Sequence, residues 1–273
     1  MPTTHIIVDW KEYTDQVNIT SSLIVKSTFS GFDGILGSNF ASGTLSLATT
    51  TPTPTVTDNL YSQRSITNNQ IGIYFAPTTL DDTLFLSHTN CNPVLSGTDS
   101  SEITGSIGYA YIPHLSDGIF GLGITYPASV YWGINESITY GTSTSILSSI
   151  VGIVDTRTIL VYISSNATTL DSTTGLLCIT STQYTKLSSL IFNINGISFA
   201  PFLAQIWPRS LYAEIGCSSS TIYLIDDDIG TNSGEGLHFI NGYTFFEWFY
   251  TVFNTANSRI GFAKAAQTPA TMN

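Results

Sequence analysis

Ile153-Val154-Asp155-Thr156-Arg157-Thr158 is the stretch that most constrains this chain. Two apolar residues of high strand propensity run into an aspartate and a threonine, the residue types with which a strand gives way to a turn. Taken alone, an Asp-Thr pair is usually just that turn. Two glycine-bounded apolar segments flank it at a distance: Phe32-Asp33-Gly34-Ile35-Leu36-Gly37 upstream and Phe239-Ile240-Asn241-Gly242-Tyr243-Thr244-Phe245 downstream.

The sequence around these landmarks reads as short strands rich in Ile, Val, Thr, Tyr and Phe, broken by Gly, Asn, Ser and Pro, so the class is mainly β. Strands are expected at 71–75, 105–112, 130–134, 150–154, 158–163, 176–180, 221–226 and 259–263. The clearest hairpin joins Ile191–Ile194 to Ile197–Phe199 through Asn195-Gly196, because Asn-Gly supplies the positive φ angles of a type I′ turn. Short helices are expected at 57–63, capped by Thr57 or Asp58, at 181–190, opened by Ser181 or Thr182, and at 244–251. Thr49–Thr55, with Pro52 and Pro54, reads as an extended connector.

A chain of 273 residues with 42% apolar content can bury one large or two modest cores. Only 10% of it is charged, against about 25% in an average domain. Ser and Thr supply about a quarter of the residues instead. Eight basic and nineteen acidic side chains give a net charge of −11. Such a surface repels phosphate backbones and acidic membranes, so neither nucleic acid nor membrane is an expected partner. A shortage of Lys and Arg also limits positive self-repulsion once carboxylates protonate, which suits acidic surroundings.

Cys91, Cys178 and Cys217 allow one internal bridge at most, and Cys178–Cys217 is the expected pairing. Sequons stand at Asn18, Asn135 and Asn166, and would be used only on the secretory route. The first residues have neither a basic region nor an apolar core, so no signal peptide is expected in the sequence as written. No apolar run reaches the roughly 18 residues of a membrane span. Asp226-Asp227-Asp228 lacks the alternating spacing of a calcium loop and reads as a solvated strand end. His5, His88, His114 and His238 are scattered, and His88 with Cys91 has no second pair at zinc-ligand spacing. No metal and no cofactor are expected. A Gly-x-Ser-x-Gly elbow is absent as well.

The two glycine segments resemble the apolar-apolar-Gly segments that cross behind the catalytic loops of pepsin-like aspartic endopeptidases, one in each lobe. Ile153–Thr158 resembles the second catalytic loop of that family, apolar-apolar-Asp-Thr-Gly-Thr, with Arg157 where the family has Gly. Pro54–Gln63, Gly97–Ser101 with Thr104–Ile107, Tyr131-Trp132-Gly133-Ile134 and Gly230–Gly236 are similar to the fungal polyporopepsin-like branch. The resemblance implies a bilobal acid-protease fold, with residues 1–76 an incomplete N-terminal lobe and 77–273 a nearly whole C-terminal lobe. It implies Asp155 as a catalytic carboxylate, Thr156 and Thr158 as its supporting loop, a polypeptide substrate or peptide ligand, and a secreted, extracellular protein.

Enzymes of this family activate water between two carboxylates about 3 Å apart that share one proton, because both cannot ionise at that distance. No Asp-Thr-Gly occurs in these 273 residues, and residues 1–31 resemble strands that follow the family's first catalytic loop and flap. Arg157 fills space that glycine leaves open, and its guanidinium favours an ionised Asp155 over a shared proton. Ile159 replaces a hydroxyl that resembles one used to hold substrate backbone. The chain is therefore expected to be an aspartic-type endopeptidase family member that is inactive or severely impaired. The alternative is a noncatalytic remnant that binds extended peptides. A monomer is expected; a homodimer pairing two copies of Asp155 would also bring two Arg157 side chains together.

Overall fold

The computed structural model describes residues 3–8, 11–16, 54–75, 93–112, 118–119, 126–127, 131–156, 158–164, 175–202, 221–230 and 237–266. In chain order the strands are β1 Thr3–Val8, β2 Lys11–Gln16, β3 Gln70–Ile73, β4 Val94–Leu95, β5 Ile103–Tyr111, β6 Gly118–Ile119, β7 Tyr126–Pro127, β8 Gly133–Tyr140 and β9 Thr144–Val154. They continue as β10 Val161–Ile163, β11 Cys178–Ile179, β12 Leu190–Ile194, β13 Ile197–Phe202, β14 Ile222–Tyr223, β15 Asp226–Asp228, β16 Phe239–Asn241, β17 Phe249–Asn254 and β18 Arg259–Ala265. Three short helices are α1 Val56–Ser62, α2 Ser181–Tyr184 and α3 Tyr243–Phe246.

Two sheets dominate: a seven-stranded one in the order β13-β12-β8-β9-β16-β10-β15, and a five-stranded one in the order β4-β3-β17-β18-β5. Their facing side chains meet α3 in one apolar core. Aromatic rings carry much of the contact, since each buries a large area and prefers edge-to-face geometry. Trp132 meets Phe253 with centroids 5.0 Å apart, Phe199 meets Phe262 at 5.9 Å, and Phe245 of α3 meets Phe192 at 5.3 Å and Phe249 at 4.7 Å. The five-stranded sheet has a second apolar cluster made by Tyr74, Tyr250, Val252, Ala263 and Ala265. β3, before residue 77, is hydrogen-bonded to β17 near the C-terminal end of the sequence, so this sheet draws on both sides of that position.

The hairpin expected at Asn195-Gly196 forms, with φ of 50° and 78° at the two turn residues and β12 paired to β13. The first helix also forms, but its cap is Thr55 and not Thr57 or Asp58. Thr55 accepts the Asp58 amide, and the Asp58 carboxylate accepts the Thr55 amide in return, so Asp58 is the reciprocal partner of a capping box. The Thr49–Thr53 part of the expected connector lies outside the described residues.

Two expected helices are one turn long. α2 is capped by Thr180 and ends at Tyr184; Leu190 and Ile191 instead pair with Tyr140 and Thr139 of β8. α3 stops at Phe246, and Phe249–Asn254 is a strand. All six of its residues are buried, with Phe249 and Phe253 facing one cluster and Tyr250 and Val252 the other. Two-sided burial between neighbouring strands overrode a pattern that helix and strand share. The 158–163 strand begins only at Val161, and 221–226 divides between β14 and β15.

Cys178 carries a free thiol and is half-buried, so the expected Cys178–Cys217 bridge is not formed. Among the described residues, no helix is long and apolar enough to cross a membrane.

Candidate active site

β9 and β16 run parallel, with Ile153 opposite Ile240 and Val154 opposite Asn241; β16 is antiparallel to β10 on its other side. The connection from β9 to β10, residues 155–160, therefore passes over the end of the strand between them. Asp155 stands at the start of this crossing. Its amide donates to Asn241 O at 3.0 Å, its carbonyl accepts from Thr158 N at 3.3 Å, and Thr158 Oγ1 donates to Asp155 Oδ2 at 2.8 Å. The carboxylate is thus oriented by a neutral donor within its own loop, while its backbone is tied to the neighbouring strand.

Gly242 makes the crossing possible. A Cβ there would lie 2.2 Å from Leu160 O and 2.5 Å from Thr158 O, both backbone atoms of the loop. With glycine in place, Tyr243 N donates to Thr158 O at 2.6 Å and Thr244 N to Ile159 O at 3.1 Å. Gly152 serves the packing behind the loop, since a Cβ there would meet the Phe239 ring at 2.4 Å. Asp155, Thr156 and Thr158 are all half-buried, and Ile159 is 53% exposed beside them. Tyr243 stacks at 4.4 Å on Phe75, bringing the end of the five-stranded sheet beside the loop.

Asp155, Thr156 and Thr158 are therefore brought together as one hydrogen-bonded turn, whereas Arg157 lies outside the described residues. The upstream glycine segment, 32–37, lies outside them too. So do Cys91, Cys217, His88 and His114. Among the described residues no three His, Cys, Asp or Glu side chains stand together as a metal site.

Two buried acids escaped the sequence reading. Glu136, 1% exposed, accepts from Asn241 Nδ2 at 2.9 Å; burial pushes its carboxyl up to about 8, and the Asn241 bond opposes this. Asp226 is not a solvated strand end: parallel pairing of β15 with β10 buries it, and burial pushes its carboxyl up to about 8 as well. Asp227, half-buried, is also raised, first by burial. The sequence signal for Glu136 was its place on the inward face of an alternating strand, between Ile134 and Ile138, with Asn135 exposed on the opposite face.

A model of the eukaryotic aspartyl protease family matches residues 6–265. The chain is 47% identical to polyporopepsin of Irpex lacteus, over 96% of its own length and 79% of that protein's. Pig pepsin A is 27% identical, over 87% of this chain and 55% of its own; the sequence thus spans about half the length of the pepsins it matches. A crystal structure of the aspartic proteinase from Irpex lacteus superposes with a TM-score of 0.78 and 49% identity, covering 90% of this chain and 72% of the other.

Proposed function

Because this mainly β chain belongs to the eukaryotic aspartyl protease family, we propose that Asp155 is one carboxylate of an aspartic-type peptide-hydrolysing site, and that these 273 residues alone hydrolyse peptides weakly or not at all. The observation that carries this reading is the hydrogen bonding of Asp155, with its amide on Asn241 O and its Oδ2 on Thr158 Oγ1. Such a carboxylate can take a proton from water, and the Thr158 hydroxyl fixes the orientation of its Oδ2. Attack on an amide also needs an acid for the carbonyl oxygen or leaving nitrogen, and donors for the developing oxyanion. A pair of carboxylates sharing one proton supplies base and acid together; a single one does not.

Thr156 and Thr158 are proposed as the supporting loop, and Arg157 as the residue that displaces substrate and water from the place where the family has glycine. Residues 77–273 are proposed as the lobe carrying Asp155, and residues 1–76 as part of the other. The ligand is an extended polypeptide, the setting acidic and extracellular, and the protein a monomer.

The test is digestion of a denatured protein by the purified 273-residue chain at acidic pH, beside Asp155→Asn. We expect no cleavage above background from either. Turnover abolished by Asp155→Asn would refute the claim of impairment while upholding the role of Asp155. A second measurement separates binding from chemistry: calorimetric binding of a statine-containing peptide, weakened by Asp155→Asn, supports a peptide-binding lobe. Absence of binding favours the alternative, that the lobe is a structural remnant.

A further inference from the structure

Glu136 lies on β8, opposite Ile194 of β12 on one side and Ile150 of β9 on the other. Its Oε2 accepts from Asn241 Nδ2 at 2.9 Å. Asn241, 0% exposed, ends β16, and its own carbonyl accepts the Asp155 amide at 3.0 Å. One residue thus joins a buried acid to the aspartate loop, by its side chain on one side and its main chain on the other.

Two oxygens of the pair, Glu136 Oε1 and Asn241 Oδ1, are buried without a hydrogen-bond partner. With the carboxyl ionised both are acceptors, and a buried charge stands uncompensated. A proton on Glu136 supplies a donor for Asn241 Oδ1, while Nδ2 continues to donate to the other oxygen, and the pair becomes neutral.

We propose that Glu136 and Asn241 form an acid–amide latch whose protonated form fixes the Asn241 carbonyl and, through it, the backbone of Asp155. Glu136 is then a positioning residue. Its link to catalysis rests on the proposed role of Asp155, but the latch itself is a property of the fold. Among the described residues, nothing around it offers a counter-charge. β9, β12 and β16 carry no ionisable side chain, β8 adds only Tyr140, and β5, which also packs on β8, adds Tyr109 and Tyr111. His238, just before β16, directs Nδ1 to Val151 O. Burial is accordingly the largest cause of the raised Glu136 carboxyl, and no charged neighbour contributes.

The test uses amide hydrogen exchange at Asp155 in the full chain, corrected for the intrinsic rate, with Glu136→Gln as the key variant. Glutamine offers the same donor and acceptor at every pH. In wild type, protection of the Asp155 amide should fall at least about tenfold from pH 5 to pH 9. In Glu136→Gln it should stay level, and Asp226→Asn, which removes another raised carboxyl, should keep the wild-type fall. A Glu136→Gln protein that retains the wild-type slope, or an Asp226→Asn protein that loses it, overturns the proposal. Should Glu136→Gln fail to fold, wild type labelled with ¹³C at glutamate carboxyls gives the answer directly. A Glu136 signal that titrates near neutrality together with the Asn241 side-chain amide supports the latch; titration in the ordinary carboxylate range refutes it. Peptide cleavage enters none of these readouts, so a failed hydrolysis assay leaves them intact.

Discussion

Replacing Gly242 by alanine tests how the aspartate loop is held. The backbone there has φ −90° and ψ −165°, which alanine adopts freely, so any effect is steric and not conformational. The added Cβ would sit 2.2 Å from Leu160 O and 2.5 Å from Thr158 O. Carbon–oxygen contacts relax near about 3.3 Å, so the loop must retreat by about 1 Å. That movement breaks or stretches Tyr243 N to Thr158 O and Thr244 N to Ile159 O. Overpacking costs about 1–3 kcal/mol, and the two hydrogen bonds about 0.5–1.5 kcal/mol each. The expected loss is about 4 kcal/mol, which for a chain of this size lowers Tm by about 8–16 °C. Gly97→Ala is the control, because its nearest neighbour, Val94 Cγ1, lies at an ordinary 3.8 Å and its φ is not positive. Thermal and urea melts of both variants at one acidic pH decide the matter. A Gly242→Ala protein that melts within about 2 °C of Gly97→Ala would refute the close crossing of loop and strand.

Asp226→Asn should flatten the dependence of stability on pH. The folded chain holds a proton on Asp226 up to about 8, against an ordinary value of 3.8, so stability is complete below the latter and falls as pH rises toward the former. The loss reaches on the order of 5 kcal/mol at most; urea midpoints across this range check it, and an unchanged slope in the variant would contradict it. Phe245→Ala removes a fully buried ring that touches Phe192, Phe249 and Phe262. It should cost about 3–5 kcal/mol in chemical denaturation, and a loss below about 1 kcal/mol would mean the seam between the sheets is not where the core lies.

Features written in neighbouring residues were legible in the sequence. Asn195-Gly196 announces its hairpin because the turn demands positive φ, and Ile153–Thr158 shows its strand-to-turn transition for equally local reasons. Features made by distant pairing were not. Phe245–Thr251 has an apolar pattern that helix and strand share, and only the flanking β3 and β18 settle it as a strand after Phe246. Asp226-Asp227-Asp228 reads as solvated until β10 covers it. Glu136 and Asn241 are 105 positions apart. Their meeting follows from the parallel register of β9 with β16, which no local signal encodes.

The stability expected in acid and the proposed hydrolytic site have different physical sources in this molecule. A shared-proton site is a property of two carboxylates, and its two titration steps vanish together when one member is absent. Glu136 has no such partner: its proton is retained by burial and faced by an amide, so its titration belongs to one group. Nineteen acidic and eight basic side chains add little repulsion at low pH, where the carboxylates lose charge and few cations remain. The sheet behind Asp155 can therefore keep its preference for acid whether or not a second carboxylate completes the site. Stability alone tests this. Glu136→Gln should flatten the curve of stability against pH between 4.5, the ordinary value for its carboxyl, and about 8, with no peptide substrate present. If urea midpoints of Glu136→Gln keep the wild-type slope across that range, burial of Glu136 is not what favours the acid form of the fold, and the separation of fold from chemistry is wrong.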